Sequence, residues 1–347
     1  MSFLTGFSKH TWWLEMVETS SKSYWLNWRF LLLASGLVVI TGTAVRIIWK
    51  YEGSPRSGKQ EGDSKKKPVG FLYKDEAWTT CHKAINPAWL LAYRTIMFFF
   101  LLSMLSTDVF FNSTDIFFFY TQWTFSLVTI YFGLGSSLSI YGCILYRKGV
   151  ASGKVCSVDE ERNDSPTLEK NASLPDVSKD LSSDEETDDR EPAGYLGYAF
   201  QIIFQAPICA GAVVLTDCVY WGLIYPIFLP DDLGLKFVVV GMHSLNAATL
   251  FGDVLLNSLR FPFFRLAYFV LYTCTFVVFQ WIVHMCIATW WPYFFMDLAY
   301  EFAPLLYVIA GVAHLPCYGV FALVIALKCW LARLFKWLIR KLSGDKQ

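Results

Sequence analysis

About seven stretches of this chain stay apolar over the roughly 20 residues that a helix, rising 1.5 Å per residue, needs to cross a bilayer core about 30 Å thick. They fall near residues 29–48, 89–111, 117–145, 199–225, 237–257, 264–288 and 304–327. Lipid offers the backbone no hydrogen-bond partner, so segments of this kind are helical. The predicted fold class is an all-α integral membrane protein, with about seven transmembrane helices in one bundle. Composition agrees: 17% of residues are charged, against roughly 25% in a soluble domain. No internal repeat and no soluble domain is visible. Met1 to Ser20 lacks a compact apolar run followed by a small-residue cleavage site, so no removable signal peptide is expected.

Lys and Arg set the predicted orientation. They crowd into the loop 49–88, the turn near 258–265 and the tail 328–347, whereas the connections 112–116 and 289–303 have none and 226–236 has only Lys236. Basic and non-basic loops alternate, so the positive-inside rule puts the C-terminus in the cytosol and the N-terminus in the lumen or outside. The chain then divides into an N-terminal segment 1–28, a first span 29–48, a basic loop 49–88 and spans two and three over 89–145. An acidic loop 146–198, spans four to seven over 199–327 and a basic amphipathic tail 328–347 follow. From Ser157 to Pro192 there are 13 acidic and 4 basic side chains and no aromatic; such a segment buries too little apolar surface to fold. Endoplasmic reticulum or plasma membrane is the expected location, with membrane lipids as the immediate partners.

Several chemistries are excluded. The nine cysteines are scattered and none has Cys-x-x-Cys spacing, so neither a disulfide framework nor a metal site is expected. There is no phosphate loop, no His-Glu-x-x-His and no Gly-x-Ser-x-Gly elbow. No cofactor is expected, and a formal net charge of zero names no nucleic-acid partner.

Ionisable side chains inside spans are costly and are functional candidates by default. Counting residues from the outer surface puts Thr121 at ~6 Å depth, His243 and His284 at ~9 Å and Asp217 at ~12 Å. Four helices thus bring these residues to one outer layer, which Gln122, Tyr220 and Asn246 can join. The chemistry suited to the set is nucleophilic acyl transfer. A threonine hydroxyl is too weak an acid to attack unaided and needs an imidazole to take its proton. A third group holds that imidazole in the correct tautomer. Thr121 and His243 are the candidate nucleophile and base; Asp217, Asn246 or His284 would orient, with Gln122 in support. Against this stands the ordinary behaviour of a threonine in a span, which caps its own helix carbonyls. His314 and Asp253 are expected in structural pairs. Arg94 is expected to snorkel toward the inner surface, and Trp290-Trp291-Pro292-Tyr293 to form an aromatic belt at the outer boundary.

Four stretches, Phe119-Tyr-Thr-Gln-Trp-Thr, Tyr220-Trp-Gly-Leu-Ile-Tyr-Pro, Gly241-Met-His-Ser and Trp281-Ile-Val-His followed by Thr289-Trp-Trp-Pro-Tyr, give the chain a family resemblance. It resembles the androgen-induced-protein and Rolling stone-like group of multi-pass membrane proteins, in a plant-type form, over roughly residues 89–330. The animal androgen-induced members are membrane threonine hydrolases that cleave fatty acid esters of hydroxy fatty acids. The resemblance therefore implies a lipid-ester hydrolase with Thr121 as nucleophile and His243 as its partner. Tyr120 stands where the animal enzymes have an aliphatic residue, and a second threonine, Thr124, lies one turn on. The Rolling stone branch is linked to cell fusion. A non-catalytic multi-pass protein (transporter, receptor or fusion/adhesion factor) is the alternative expectation.

Overall fold

The computed structural model describes residues 22–52, 77–81, 85–151, 207–228, 237–259, 263–286 and 291–344. The acidic stretch of the 146–198 loop lies outside them. Among the described residues the regular elements are all helical, with one isolated backbone bridge, Thr80 to Asn257, and no strand. In chain order the helices are α1 (Lys22–Trp25), α2 (Trp28–Glu52), α3 (Pro87–Asn112), α4 (Tyr120–Ala151) and α5 (Pro207–Val219). A π turn (Tyr220–Ile224) leads into α6 (Tyr225–Phe228), then α7 (Phe237–Met242), α8 (Leu245–Leu256), α9 (Leu266–Cys286) and α10 (Ala303–Gly344).

Among the described residues, five helical segments are long and apolar enough to cross a membrane: Trp28–Tyr51, Pro87–Asn112, Tyr120–Lys148, Phe263–Cys286 and Ala303–Phe335. The apolar segments Ile208–Ile224 and Leu245–Leu256 are shorter. Side chains on the outer faces are apolar and open: Leu31, Val38 and Val45 on α2, Ile96 and Phe99 on α3, Val308, Val312 and Leu315 on α10. Apolar stripes of that extent are stable against acyl chains, not water. The architecture is consistent with an all-α, multi-pass membrane protein.

Local signals set the helix ends. Asn86 caps α3 by accepting from the Ala88 N–H at 2.9 Å, with Pro87 at the first helical position where its missing N–H costs nothing. The same helix stops at Ser113, whose φ of 66° breaks the right-handed run. At the start of α4 the cap comes from far away: the Tyr293 hydroxyl accepts from the Tyr120 N–H at 3.0 Å.

The short helix α5 is the hub, packed against α4, α8, α9 and α10, while α3 pairs with α4 and α2 with α9. Its run Cys209-Ala-Gly-Ala has almost no side-chain bulk, which lets four neighbours approach. At Gly211 a Cβ would fall 2.6 Å from the Phe269 ring, so any larger residue drives α9 away.

Two expectations are corrected. Arg94 does not snorkel. It is 0% exposed, its Nε 2.8 Å from Asp253 Oδ1, with further bonds to Ala77 O (2.8 Å) and Ser139 Oγ (2.9 Å). Buried charge is tolerable only when paired and fully bonded, and here Tyr131 and Asn257 complete the shell around Asp253. This also draws part of the basic 49–88 loop into the bundle, where Ala77 is buried and Trp78 lies over Gly142. The aromatic belt is corrected too: Trp291 is buried and stacked on His284, and Tyr293 is turned inward onto α4.

Candidate functional site

The polar layer predicted from depth divides into two adjacent clusters, joined through the consecutive residues Thr121 and Gln122 in the first turn of α4. The first cluster centres on His243. Helix α7 ends at Met242, His243 and Ser244 form a turn, and α8 restarts at Leu245 without a side-chain cap from Ser244. Gly241 permits this close passage, since a Cβ there would meet Met104 Cε at 2.5 Å. The His243 imidazole stacks on Tyr220, with centroids 3.6 Å apart and planes 2° from parallel. Trp221 Nε1 donates to the His243 carbonyl at 2.8 Å. Tyr220 and Trp221 open the π turn after α5, and π turns within helices concentrate at functional sites.

Asp217, one turn before Tyr220, places Oδ1 3.9 Å from His243 Nδ1. That is beyond hydrogen-bond length, and neither atom has another hydrogen-bond partner. Gln122 Nε2 donates to Asp108 Oδ2 at 2.7 Å and touches the Met242 sulfur at 2.9 Å. The contact with Met242 sets Gln122 level with the helix break. Asn246 donates to Met242 O at 2.9 Å. Gln122 Oε1 and Asn246 Oδ1, like the Asp217 and His243 atoms, are buried and unpartnered. An unpaired buried polar atom costs on the order of 1–3 kcal/mol, so four of them on neighbouring elements make the helix break the candidate site for a polar group.

The second cluster surrounds Thr121. Thr121 follows Tyr120, whose backbone N–H donates to the Tyr293 hydroxyl at 3.0 Å. Burial raises the Tyr293 phenol to about 12 against the opposing pull of the groups that donate to it. Two residues earlier, Trp291 lies flat on His284, with centroids 3.8 Å apart, and His284 Nδ1 meets Gln280 O at 2.6 Å. The Trp291 indole N–H donates to Tyr24, whose hydroxyl donates in turn to Asp297 at 2.6 Å. Burial, then Asp297, raises the Tyr24 phenol.

Asp217, His243, Asn246 and Gln122 are therefore gathered around the helix break, while Thr121 and His284 meet the 291–293 loop. Among the described residues no hydrogen bond joins Thr121 to His243. Thr124 caps its own helix through Tyr120 O at 3.0 Å and reaches Thr216 at 3.4 Å. Tyr293 is the site residue that sequence reasoning misplaced; its aromatic neighbours gave it the signature of an interface anchor. Asp108 joins the layer as the partner of Gln122. Chemically, the arrangement offers an imidazole beside a carboxylate and, on α4, a threonine hydroxyl in a first turn capped by a phenol. No family model matches the chain, and neither a curated protein nor a solved structure is similar to it.

Proposed function

We propose that the protein is a seven-span membrane hydrolase of fatty-acid-ester lipids, with Thr121 as nucleophile, His243 as general base and Asp217 orienting the imidazole. The observation that carries this reading is the His243–Asp217 pair: an imidazole held at a helix break by Tyr220, 3.9 Å from a carboxylate, with both facing atoms free of other hydrogen bonds. In the proposed cycle the ester enters sideways from lipid. Thr121 Oγ adds to the carbonyl as His243 takes its proton. The imidazolium returns that proton to the leaving alkoxide, and water, deprotonated by His243, then releases the fatty acid from the acyl-threonine. The Thr121–His243 contact forms as substrate binds, since catalytic hydrogen bonds often tighten only in the Michaelis complex. Tyr293, bonded to the neighbouring Tyr120 N–H, fixes the first turn of α4 on which Thr121 stands. The proposed topology puts this layer on the lumenal or outer side and the C-terminus in the cytosol, in line with the alternation of basic loops.

The test is hydrolysis of a fatty acid ester of a hydroxy fatty acid by the purified protein, paired with labelling by a fluorophosphonate. Thr121→Ala and His243→Ala are each expected to lower turnover about 10³-fold, and Thr121→Ala to abolish labelling. Equal labelling of wild type and Thr121→Ala removes the assignment. One observation favours a second reading: discontinuous helices beside a polar site also occur in transporters, and here both the π turn and the 243–244 break adjoin Asp217 and His243. Solute uptake into proteoliposomes that is abolished by Asp217→Asn, without ester turnover, would establish the transporter instead.

A further inference from the structure

A cavity of about 230 Å³ lies at the opposite end of the bundle, between the last turn of α8 and the second half of α10. Leu250, Val254, Phe321 and Ile325 form its apolar walls, and Lys328 and Asn257 its polar side. Complete small-molecule pockets run from about 300 Å³ upward, so this one admits a headgroup-sized part of a ligand rather than a whole lipid.

Lys328 stands 25 positions after Ala303 on one continuous helix. At 1.5 Å per residue that is ~38 Å along the axis, beyond a hydrocarbon core of ~30 Å and level with lipid headgroups. Its ammonium donates to the carbonyls of Val254 and Asn257, at the C-terminal end of α8. An ammonium has three donors, so one is left over. Among the described residues no carboxylate lies within ion-pair distance of it; Asp253, next to Val254, is held by Arg94 at 2.8 Å. Arg333 and Lys341 follow on the same helix, so the cavity sits in a basic field. Capping of α8 explains two of the three donors but not the cavity beside the third, and Asp253, the nearby carboxylate that acts on Lys328, is already paired with Arg94.

We propose that this cavity binds the headgroup of an anionic amphiphile. A phosphate or carboxylate oxygen pairs with Lys328, and the acyl chain leaves along Phe321 and Ile325 into lipid. Basic pockets between helices at a membrane surface recognise anionic lipids in this way. The inference is independent of the hydrolase reading.

Two sources carry the required chemistry, an anionic phospholipid and a free fatty acid, and one experiment separates them. Full-length protein is placed in nanodiscs of phosphatidylcholine, of phosphatidylcholine with phosphatidylglycerol, and of phosphatidylcholine with oleate. Maleimide alkylation of Cys329, which lines the cavity and is exposed, is followed by peptide mass mapping, with exposed Cys286 near the other end as reference. The expected result is alkylation of Cys329 slowed about fivefold relative to Cys286 in an anionic bilayer, the factor of one lysine–anion contact. Slowing by phosphatidylglycerol alone assigns a phospholipid, by oleate alone a fatty acid, and by both a shared site. Lys328→Met abolishes the slowing and Lys328→Arg keeps it. Val254→Phe fills the cavity while leaving the ammonium in place, and it also abolishes the slowing, which decides the matter if Lys328→Met fails to fold. Equal rates in all three bilayers, or slowing undiminished in Val254→Phe, overturn the proposal.

Discussion

At one end of the bundle Arg94 and Asp253 are both 0% exposed and 2.8 Å apart, and every neighbour contributes a bond: Ala77 O, Ser139, Tyr131 and Asn257. Toward the other end His243 and Asp217 stand 3.9 Å apart with facing atoms that bond to nothing in the protein. The first pair ties α3, α4, α8 and the 77–81 segment together. The second sits where helices are interrupted, at the 243–244 turn and the 220–224 π turn. Buried polar groups cost energy in either place. Where all their bonds are made they specify packing; where bonds are left open beside a broken helix, the capacity remains for another molecule.

This contrast predicts different responses to substitution. The largest effect is expected from Arg94→Met, which strands Asp253 without its cation and costs about 3–5 kcal/mol. Adding Asp253→Leu recovers much of that loss, because removing both charges removes the desolvation penalty as well. Unfolding in mixed micelles measures both. A loss below about 1 kcal/mol for Arg94→Met would break the contrast.

Next is Tyr24→Phe. It removes one donor to Asp297 and the acceptor for Trp291 Nε1 and Leu298 N, and about 2 kcal/mol is expected. The first change in dynamics belongs at the 291–298 loop, visible as faster amide exchange there.

Tyr293→Phe removes the distant cap of α4 and is expected to cost about 1 kcal/mol. It also carries a pH signature. The Tyr293 phenol is raised by burial to about 12, against ~10 for an unfolded tyrosine. The unfolded chain ionises first, so the contribution of Tyr293 is intact below pH ~10 and is lost as pH rises toward its folded value. Unfolding from pH 9 to 12 should show a shallower decline in Tyr293→Phe than in wild type.

The smallest stability effect is expected from Asp217→Asn, within about 0.5 kcal/mol of wild type or slightly stabilising, since Oδ1 makes no hydrogen bond to lose. Ester turnover in the same variant is expected to fall at least ~10-fold if the carboxylate orients His243. A large stability loss at Asp217 would place it with the structural pair at Arg94 and dissolve the comparison.

Much of this was legible along the chain. The apolar runs map onto helices, and counting from helix ends put Thr121, His243, His284 and Asp217 in one layer that Gln122, Tyr220 and Asn246 could join; the structure sets Asp217 3.9 Å from His243 and Gln122 against Met242, and Thr121 and His284 toward the 291–293 loop. Rotation about the helix axis was not legible. Residue counting gives position along a helix, but the first turn of α4, with Thr121 on it, is capped by Tyr293, more than 170 residues away in sequence. Arg94 shows the same limit. Near a helix end an arginine has the signature of a snorkelling side chain, and only the arrival of Asp253 from α8 turns it inward.

Sequence by itself determined that these segments are helices and how far along its helix each polar residue stands, because in lipid the backbone must satisfy its hydrogen bonds within its own segment and each residue adds a constant rise. Tertiary structure alone decided which polar groups are paired, where α7 gives way to α8, and which acid–base pair is left open. Those outcomes depend on side chains from distant segments meeting in the small spaces that Gly211 and Gly241 leave between helices.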